Sequence, residues 1–175
     1  MTQPTSWLVK LGRLLLVVAA FGTGEYRAFA QAQAPAGNRF EPNVRLYEEA
    51  DRKEAPPKNA ILLAGDSQFF RWKTRHVDRP VVTCVNRGID SFQTSDLIYF
   101  ADRLVLPYQP RMIVLHVGGN DVNNGKTPEQ ILADFKTFVA IVRKTMPNVP
   151  ILYSSITPGP GRWNQAPQRK LTNQT

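Results

Sequence analysis

The feature that most constrains the fold is an alternation of short apolar runs with longer segments of helical spacing. Four short runs, each bounded by Pro or Gly, are predicted to be strands: 59–64, 80–86, 111–117 and 149–156. Helical patterns are predicted over 41–54, 94–106 and 127–145. Strands that are apolar on both faces and alternate with helices are typical of a parallel sheet covered on both sides. The sequence therefore predicts an α/β fold, a three-layer α/β/α sandwich.

The common small version of this architecture is the flavodoxin-like sheet with strand order 2-1-3-4-5. Its binding crevice lies at the carboxyl ends of the strands, near the switch between strands 1 and 3. The loops after strands 1, 2 and 3 should therefore converge on one site. Because only four strands are predicted, we expect the last strand and helix of this sheet to be missing from the sequence, which would leave a bare sheet edge.

Residues 1–30 have the layout of a secretory signal peptide. Two basic residues, Lys10 and Arg13, precede a short apolar run, and small residues follow at the expected cleavage point. Cleavage is expected near Ala30 or Ala34, which predicts an exported protein, periplasmic or extracellular, with no stable membrane insertion afterwards. An uncleaved membrane anchor is the alternative. The remaining chain divides into an N-terminal helix and linker, 31–58, and a domain over 59–175.

Composition excludes several other classes of function. The net charge is +8, but the basic residues are scattered among acids, so no nucleic-acid-binding stripe is predicted. Cys84 is the only cysteine, which rules out an internal disulfide and a cysteine-based metal cluster. It lies in an apolar run and is expected to be a buried, inert thiol. We expect neither a metal nor an organic cofactor.

The stretch "GGNDVNNGKT" resembles a phosphate-binding loop, because a predicted strand precedes it and a helix follows. A P-loop needs four residues between its two glycines, whereas Gly119 and Gly125 are separated by five. Thr127 with Gln130 three residues later instead forms a capping box that starts a helix. The sequence therefore predicts a helix start here and no nucleotide site.

Polar residues follow three strands that are predicted to be neighbours. The loops read "GDSQ" after strand 1, "NRGID" after strand 2 and "GGND" after strand 3. Ser67 would present a hydroxyl, while the Gly88 N–H and the Asn120 amide would be hydrogen-bond donors. Donors that converge on one point can stabilise the oxyanion formed when an acyl carbonyl is attacked. Ordinary turn chemistry explains any one of these loops equally well.

The blocks "LLAGDSQFFRW", "NRGI" and "VGGND" resemble three conserved blocks of the SGNH, or GDSL-type, esterase and lipase family, and the similarity runs from about residue 40 to 173. The resemblance implies the same three-layer fold. It also implies that Ser67 is the nucleophile and that Gly88, Asn120 and the Ser67 N–H form the oxyanion hole. The flanking residues Asp66, Gly119 and Asp121 are expected to order the loops.

The sequence departs from the family pattern in two places. The turn after "NRG" reads "IDSFQ", so Asp90 and Phe92 are expected to reshape the pocket. The family takes its catalytic His from a C-terminal Asp-x-x-His block, and no such block occurs in these 175 residues. We expect His116 to be a packed sheet residue and His76 to lie away from the site. The expected explanation is a truncated chain whose base lies in a missing C-terminal segment.

The resemblance implies an exported serine ester hydrolase that transfers an acyl group to water through an acyl-enzyme. The expected partner is a small-molecule ester, such as an acetylated sugar, a short acyl ester or a lysophospholipid. The alternative is a non-catalytic module of the same fold that binds carbohydrates or esters. Near the C-terminus, Arg162 and Trp163 are candidates for a substrate rim, although a Trp covering the end of the core is the simpler expectation.

Overall fold

The computed structural model of the chain describes residues 39–175. The predicted signal peptide, its cleavage near Ala30 or Ala34 and the start of the 31–58 segment lie outside the described residues. None of the described helices is long and apolar enough to cross a membrane.

The sheet has the predicted strand order and direction. Its four strands are β1 (Ile61–Gly65), β2 (Cys84–Gly88), β3 (Met112–His116) and β4 (Ile151–Tyr153). All three pairings are parallel, and the order across the sheet is β2-β1-β3-β4. Gly65 at the end of β1 is level with Gly88 of β2 and His116 of β3, so the three loops leave the sheet at the same height.

Eight α-helices and two 3₁₀ segments lie in the described part of the chain. The helices are α1 (Glu41–Lys53), α2 (Ser67–Arg71), α3 (Arg75–Asp78), α4 (Thr94–Tyr99), α5 (Ala101–Leu104), α6 (Gly119–Asn123), α7 (Pro128–Thr145) and α8 (Ala166–Thr172). The 3₁₀ segments are Leu106–Tyr108 and Pro160–Gln165. Helices and a parallel sheet together make the α/β fold expected from the sequence.

Three predicted boundaries were wrong. The helix predicted over 94–106 is broken at Phe100, whose φ of −100° and ψ of 12° leave the helical region. Strand β2 begins four residues later than predicted, because Val81 is 92% exposed and does not enter the sheet. Strand β4 covers only Ile151–Tyr153 of the predicted 149–156, and helix α8, which follows it in the chain, was not among the predicted helices.

The helix start at the Gly-Lys-Thr sequence is confirmed. The Gln130 N–H donates to Thr127 Oγ1 (3.3 Å), and the Thr127 N–H donates to Gln130 Oε1 (2.9 Å). The lysine of this sequence, Lys126, places its Nζ 2.8 Å from Asp121 Oδ1 and 2.7 Å from Asp134 Oδ2. Its charge is therefore held between two carboxylates of the protein.

Helix α1 packs against α5 and the loop that follows β2. Val44 is fully buried, and the Phe40 ring just before the helix meets Phe92 edge-on at a centroid distance of 4.9 Å. Arg103 of α5 donates to both Glu41 and Glu48 of α1 at distances from 2.7 to 3.1 Å. The predicted domain start at residue 59 stays a prediction, and α1 is in contact with that domain.

Candidate active site

The turn from β1 into α2 places Ser67 at the first position of a helix. Gly65 has a φ of +148°, and a Cβ at this position would lie 1.8 Å from the His116 carbonyl oxygen. Only glycine allows this close approach of β1 to β3 at the turn. Asp66 is the N-cap of α2, and its Oδ1 accepts the Gln68 N–H at 3.0 Å. The half-buried Ser67 thus starts a helix whose first-turn N–H groups lack intrahelical partners.

Asp66 and His116 form a buried pair beside Ser67. Asp66 Oδ1 lies 3.0 Å from His116 Nδ1, and the Asp66 N–H donates to the His116 carbonyl at 3.0 Å. The two residues are 4% and 7% exposed. His116 is a packed residue at the end of β3, as expected, but it also faces the same cavity as Ser67. His76 is exposed on α3 and does not line this cavity.

A cavity of about 340 Å³ opens at the carboxyl ends of β1 and β3. Loops after all three neighbouring strands contribute to its wall, as the strand order requires. The predicted site residues that line it are Asp66, Ser67, Gly119 and Asn120. The other lining residues are Gln68, Arg71, Asp90, Ser91, His116, Asn123, Ile156, Thr157, Gly159, Arg162 and Arg169. The wall is therefore mostly polar.

Asn120 offers an amide to this cavity. Its Nδ2 donates to the Phe92 carbonyl at 2.9 Å, and its Oδ1 accepts from Asn123 Nδ2 at 3.4 Å. A side-chain amide carries two N–H donors, so the bond to Phe92 fixes the orientation of the amide and leaves one donor for a ligand. Gly119 lies just before it, and a Cβ there would make only an ordinary contact, 3.5 Å from Arg169 Nη1.

Gly88 lies beneath α2 and does not line the cavity. Its N–H donates to Asn86 Oδ1 at 2.9 Å, and its carbonyl accepts from the Tyr47 hydroxyl at 2.5 Å. A Cβ at this position would lie 2.4 Å from the Phe70 backbone nitrogen, which explains why glycine is required here. For the Gly88 N–H to reach an oxyanion, Asn86 must first release it.

Asp121 is fully buried and has the contacts of a loop-ordering group. Its carboxylate accepts from the Thr94 N–H (3.0 and 3.2 Å) and from the Thr94 hydroxyl (3.2 Å). Burial acts to lower the pKa of its ion-pair partner Lys126, but Asp121 and Asp134 outweigh this and raise the pKa. Asp121 thus ties the start of α4 to helix α6, which carries Asn120.

The "IDSFQ" turn enters the site through two residues, Asp90 and Ser91. Asp90 lines the cavity, where its Oδ1 lies 2.8 Å from Arg71 Nη2. Phe92 is fully buried in the core and stacks on Phe100. Asp90 therefore shapes the wall of the pocket, whereas Phe92 positions the carbonyl that holds Asn120.

Sequence reasoning missed Arg169, a buried arginine from α8 in the wall of the cavity. It is 7% exposed, and its guanidinium donates to the Thr157 carbonyl (2.7 Å), Asn123 Oδ1 (2.8 Å) and Gln165 Oε1 (3.2 Å). The only available signal was the helical character of "APQRKLT" after a Pro-rich turn, which does not identify one arginine.

Two other expectations need correction. Trp163 does not cover the core, because it is 63% exposed, whereas its neighbour Arg162 does line the cavity. Cys84 is half-buried rather than buried, and this burial raises the pKa of its thiol, which disfavours the reactive thiolate. Within residues 39–175, no group of three or more His, Cys, Asp or Glu side chains is arranged to hold a metal ion.

The GDSL-like Lipase/Acylhydrolase family model matches residues 51–175, which include all three loops of the site. The chain belongs to this family. The match covers α1 from Asp51 onward and the whole sheet. No curated protein sequence gives a significant match to the chain.

Solved structures of the same fold include several GDSL hydrolases. A GDSL-like lipase from Bacteroides thetaiotaomicron is 16% identical, with a TM-score of 0.62 over 75% of this chain and 70% of that chain. A psychrotrophic esterase from Pseudoalteromonas sp. is 15% identical (TM-score 0.52), over 67% of this chain and 70% of that chain. An acetyl xylan esterase is 18% identical (TM-score 0.52), over 66% of this chain and 67% of that chain. At these identities the likeness establishes the fold alone.

Proposed function

We propose that this member of the GDSL family is a serine ester hydrolase that works through an acyl-enzyme on Ser67. The observation that carries the proposal is the shared cavity of Ser67 and Asn120 at the carboxyl ends of the parallel strands. A hydroxyl at a helix start and an amide donor across the cavity are the two groups that acyl transfer requires near one carbonyl.

In the proposed reaction Ser67 Oγ attacks the ester carbonyl carbon, and the carbonyl π electrons move to oxygen. The oxyanion accepts hydrogen bonds from the Ser67 N–H and from the free N–H of Asn120. The Gly88 N–H becomes a third donor when Asn86 releases it. Collapse of the tetrahedral intermediate expels the alcohol, which takes a proton, and leaves an acyl group on Ser67. Water then attacks this acyl-enzyme, releases the acid and returns the proton to Ser67.

The serine proton must pass to a general base. The family resemblance implies that this base is the His of an Asp-x-x-His block, and we propose that base. His116 is the competing candidate, because it lines the cavity and its Nδ1 is held by Asp66. In the full-length protein, His116→Gln should keep kcat within about tenfold if the base lies elsewhere. A loss of about a thousandfold would assign the proton transfer to His116.

The polar wall of the cavity favours a small, polar ester over a long acyl chain. One neighbour of the same fold is an acetyl xylan esterase, which is consistent with an acetylated sugar or a short acyl ester as the substrate. Export to the periplasm or the extracellular space is part of the proposal and rests on the N-terminal sequence. Loss of residues 1–30 or 1–34 from the secreted protein, measured by mass spectrometry, tests it.

A matched pair of serines tests the proposed nucleophile. Ser67 and Ser91 both line the cavity, and Ser91 Oγ is held by Asp90 at 3.1 Å. Hydrolysis of 4-nitrophenyl acetate by the full-length protein should fall by about a thousandfold or more in Ser67→Ala. It should change little in Ser91→Ala. Equal activity of the wild type and Ser67→Ala would overturn the proposal.

A second candidate function is a non-catalytic module that binds carbohydrate esters. The engagement of the Gly88 N–H by Asn86 favours it, since one donor of the oxyanion hole is already occupied. Such a module would bind an acetylated oligosaccharide equally well as the wild type and as Ser67→Ala, and neither protein would release acetate.

A further inference from the structure

The cavity beside Ser67 carries positive charge that the protein does not neutralise. Two carboxylates line it, and each has a partner of its own. Asp90 pairs with Arg71, and Asp66 is bonded to His116 and to the first turn of α2. Within the described residues, neither of the other two arginines in the wall, Arg162 and Arg169, has a carboxylate within 4.0 Å.

Arg169 is the more unusual of these two arginines because it is buried. All three of its hydrogen-bond acceptors are neutral, namely one carbonyl and two side-chain amides. Its Nε is buried without a hydrogen-bond partner among the described residues. A buried cation is normally paired, because the loss of hydration is costly unless an opposite charge replaces it. The neutral acceptors fix the guanidinium in place while leaving its charge uncompensated.

Electrostatics within the cavity agree with this description. Burial lowers the pKa of the Arg169 guanidinium, and the nearby charge of Arg162 lowers it further, whereas the Asp66 carboxylate acts in the opposite direction. Arg162 is exposed on the Pro160–Gln165 segment at the mouth of the cavity. An anion between the two arginines would remove their mutual repulsion and supply the missing counter-charge.

We propose that Arg169 and Arg162 form an anion-binding subsite next to Ser67, so that the substrate is an ester that also carries a carboxylate or phosphate group. The inference rests on the proposed hydrolase function and names its substrate class. Arg169 would contact the anion inside the cavity, and Arg162 would contact it from the rim. A guanidinium matches carboxylate and phosphate oxygens geometrically and keeps its charge at any physiological pH.

Substrate preference tests the subsite in the full-length enzyme. The matched substrates are 4-acetoxybenzoate, which is anionic, and 4-acetoxybenzamide, which is neutral. Arg169→Gln should lower the ratio of their kcat/KM values (anionic over neutral) by about tenfold, and Arg162→Gln by about threefold. Arg169→Lys keeps the charge and should retain most of the ratio. Arg111→Gln is the control. This exposed arginine directly precedes β3, so it lies at the amino ends of the strands, opposite to the cavity.

Equilibrium binding separates this inference from the proposed function. Calorimetry with Ser67→Ala protein would compare 4-hydroxybenzoate, phenyl phosphate and neutral 4-hydroxybenzamide. Tighter binding of either anion than of the amide, weakened by about threefold when Arg162→Gln is combined with Ser67→Ala, supports the subsite even if the wild type hydrolyses no ester. The tighter of the two anions identifies the group. Ester hydrolysis together with equal binding of the anions and the amide would overturn the anion subsite but not the proposed hydrolase function.

Thermal unfolding of Arg169→Gln shows whether this variant is folded. If Arg169→Gln is unfolded, Arg162→Gln tests the subsite instead, because the Arg162 side chain is exposed.

Discussion

Arg87 and Arg169 are buried to nearly the same degree, at 6% and 7% exposure, but they lie in opposite electrostatic surroundings. Arg87 donates to the Asp51 carboxylate, to the Tyr108 hydroxyl (2.8 Å) and to the Asn86 carbonyl (2.8 Å). Its guanidinium also lies 4.8 Å from the Tyr47 ring centroid and 4.5 Å from that of Tyr108. Arg169 meets only neutral acceptors.

The difference separates the scaffold from the site. Around Arg87, helix α1 supplies the counter-charge, so every strong interaction is completed within the protein. Around Ser67, the Asn120 amide and the Arg169 guanidinium are held in position by neutral acceptors, and Arg169 has no counter-charge within the described residues. A ligand-binding cavity needs groups that are fixed in this way and can still bind a ligand. Substitutions near Arg87 should therefore change the free energy of unfolding, and substitutions in the cavity should change hydrolysis. Four predictions test this separation.

The largest expected effect is on the cavity side. Asn120→Ala removes one proposed donor to the oxyanion, so kcat should fall by about 10²- to 10³-fold, or roughly 2.7–4 kcal/mol of transition-state stabilisation. The free energy of unfolding should fall by only about 1 kcal/mol, for the lost bond to Phe92. Asn124→Ala, at the exposed end of α6, is the control. A stability loss that accounts for all the lost activity would break the comparison.

The next effect is on the scaffold side. Asp51→Ala leaves the buried Arg87 without its carboxylate partner. The free energy of unfolding, measured with urea, should fall by about 2–3 kcal/mol, which is less than for a fully buried pair because Asp51 is partly exposed. Glu49→Ala, on the exposed face of the same helix, should cost less than about 0.5 kcal/mol. Hydrolysis by the folded fraction of Asp51→Ala should match that of the wild type.

A smaller effect is expected at the start of α7. Thr127→Ala removes the side-chain cap and should destabilise the fold by about 1 kcal/mol. The same substitution at Thr137, inside the helix, should change stability by less than about 0.5 kcal/mol, because alanine is the better helix former. Chemical denaturation of both variants measures the difference, and equal losses would show that the capping box contributes nothing.

The smallest effect is the pH dependence of the α1 ion pairs. Hydrogen bonds from Arg103, then Arg45, lower the pKa of Glu41 to about 2, below its value of 4.5 when unfolded. The stabilisation is therefore fully present above pH 4.5 and is lost as the pH falls toward 2. Glu41→Gln should reduce the decline in unfolding free energy between pH 5 and 3 by at most about 1 kcal/mol, given the partial exposure of the pair. Glu49→Gln should leave the decline unchanged.

The sheet could be predicted from the sequence because the strands are short apolar runs bounded by turn residues. The order of strands 1 to 4 followed from the chirality of parallel crossovers and the common flavodoxin-like arrangement. The capping box at Thr127 was also predictable, since it depends on residues three apart in the sequence. These features depend on neighbouring residues or on the order of the elements along the chain, so they can be predicted from a single sequence.

The charge environment of the cavity was not predictable. Arg169 reaches the site from a helix about 100 residues after Ser67 in the chain, and its burial depends on packing against Asn123 and Thr157. The engagement of Gly88 by Asn86 also depends on a side-chain rotamer that no sequence pattern specifies. Side-chain contacts between distant segments are tertiary properties, and neither periodicity nor spacing records them.

Covalent labelling of the protein with a fluorophosphonate, followed by peptide mass spectrometry, tests most directly whether Ser67 is the nucleophile. Such a reagent phosphonylates a serine only where a base and an oxyanion hole activate it. We expect one adduct on the peptide that contains Ser67, none on the peptide that contains Ser91, and loss of ester hydrolysis in proportion to labelling. Labelling at Ser91, or full hydrolysis by protein labelled at Ser67, would contradict this expectation.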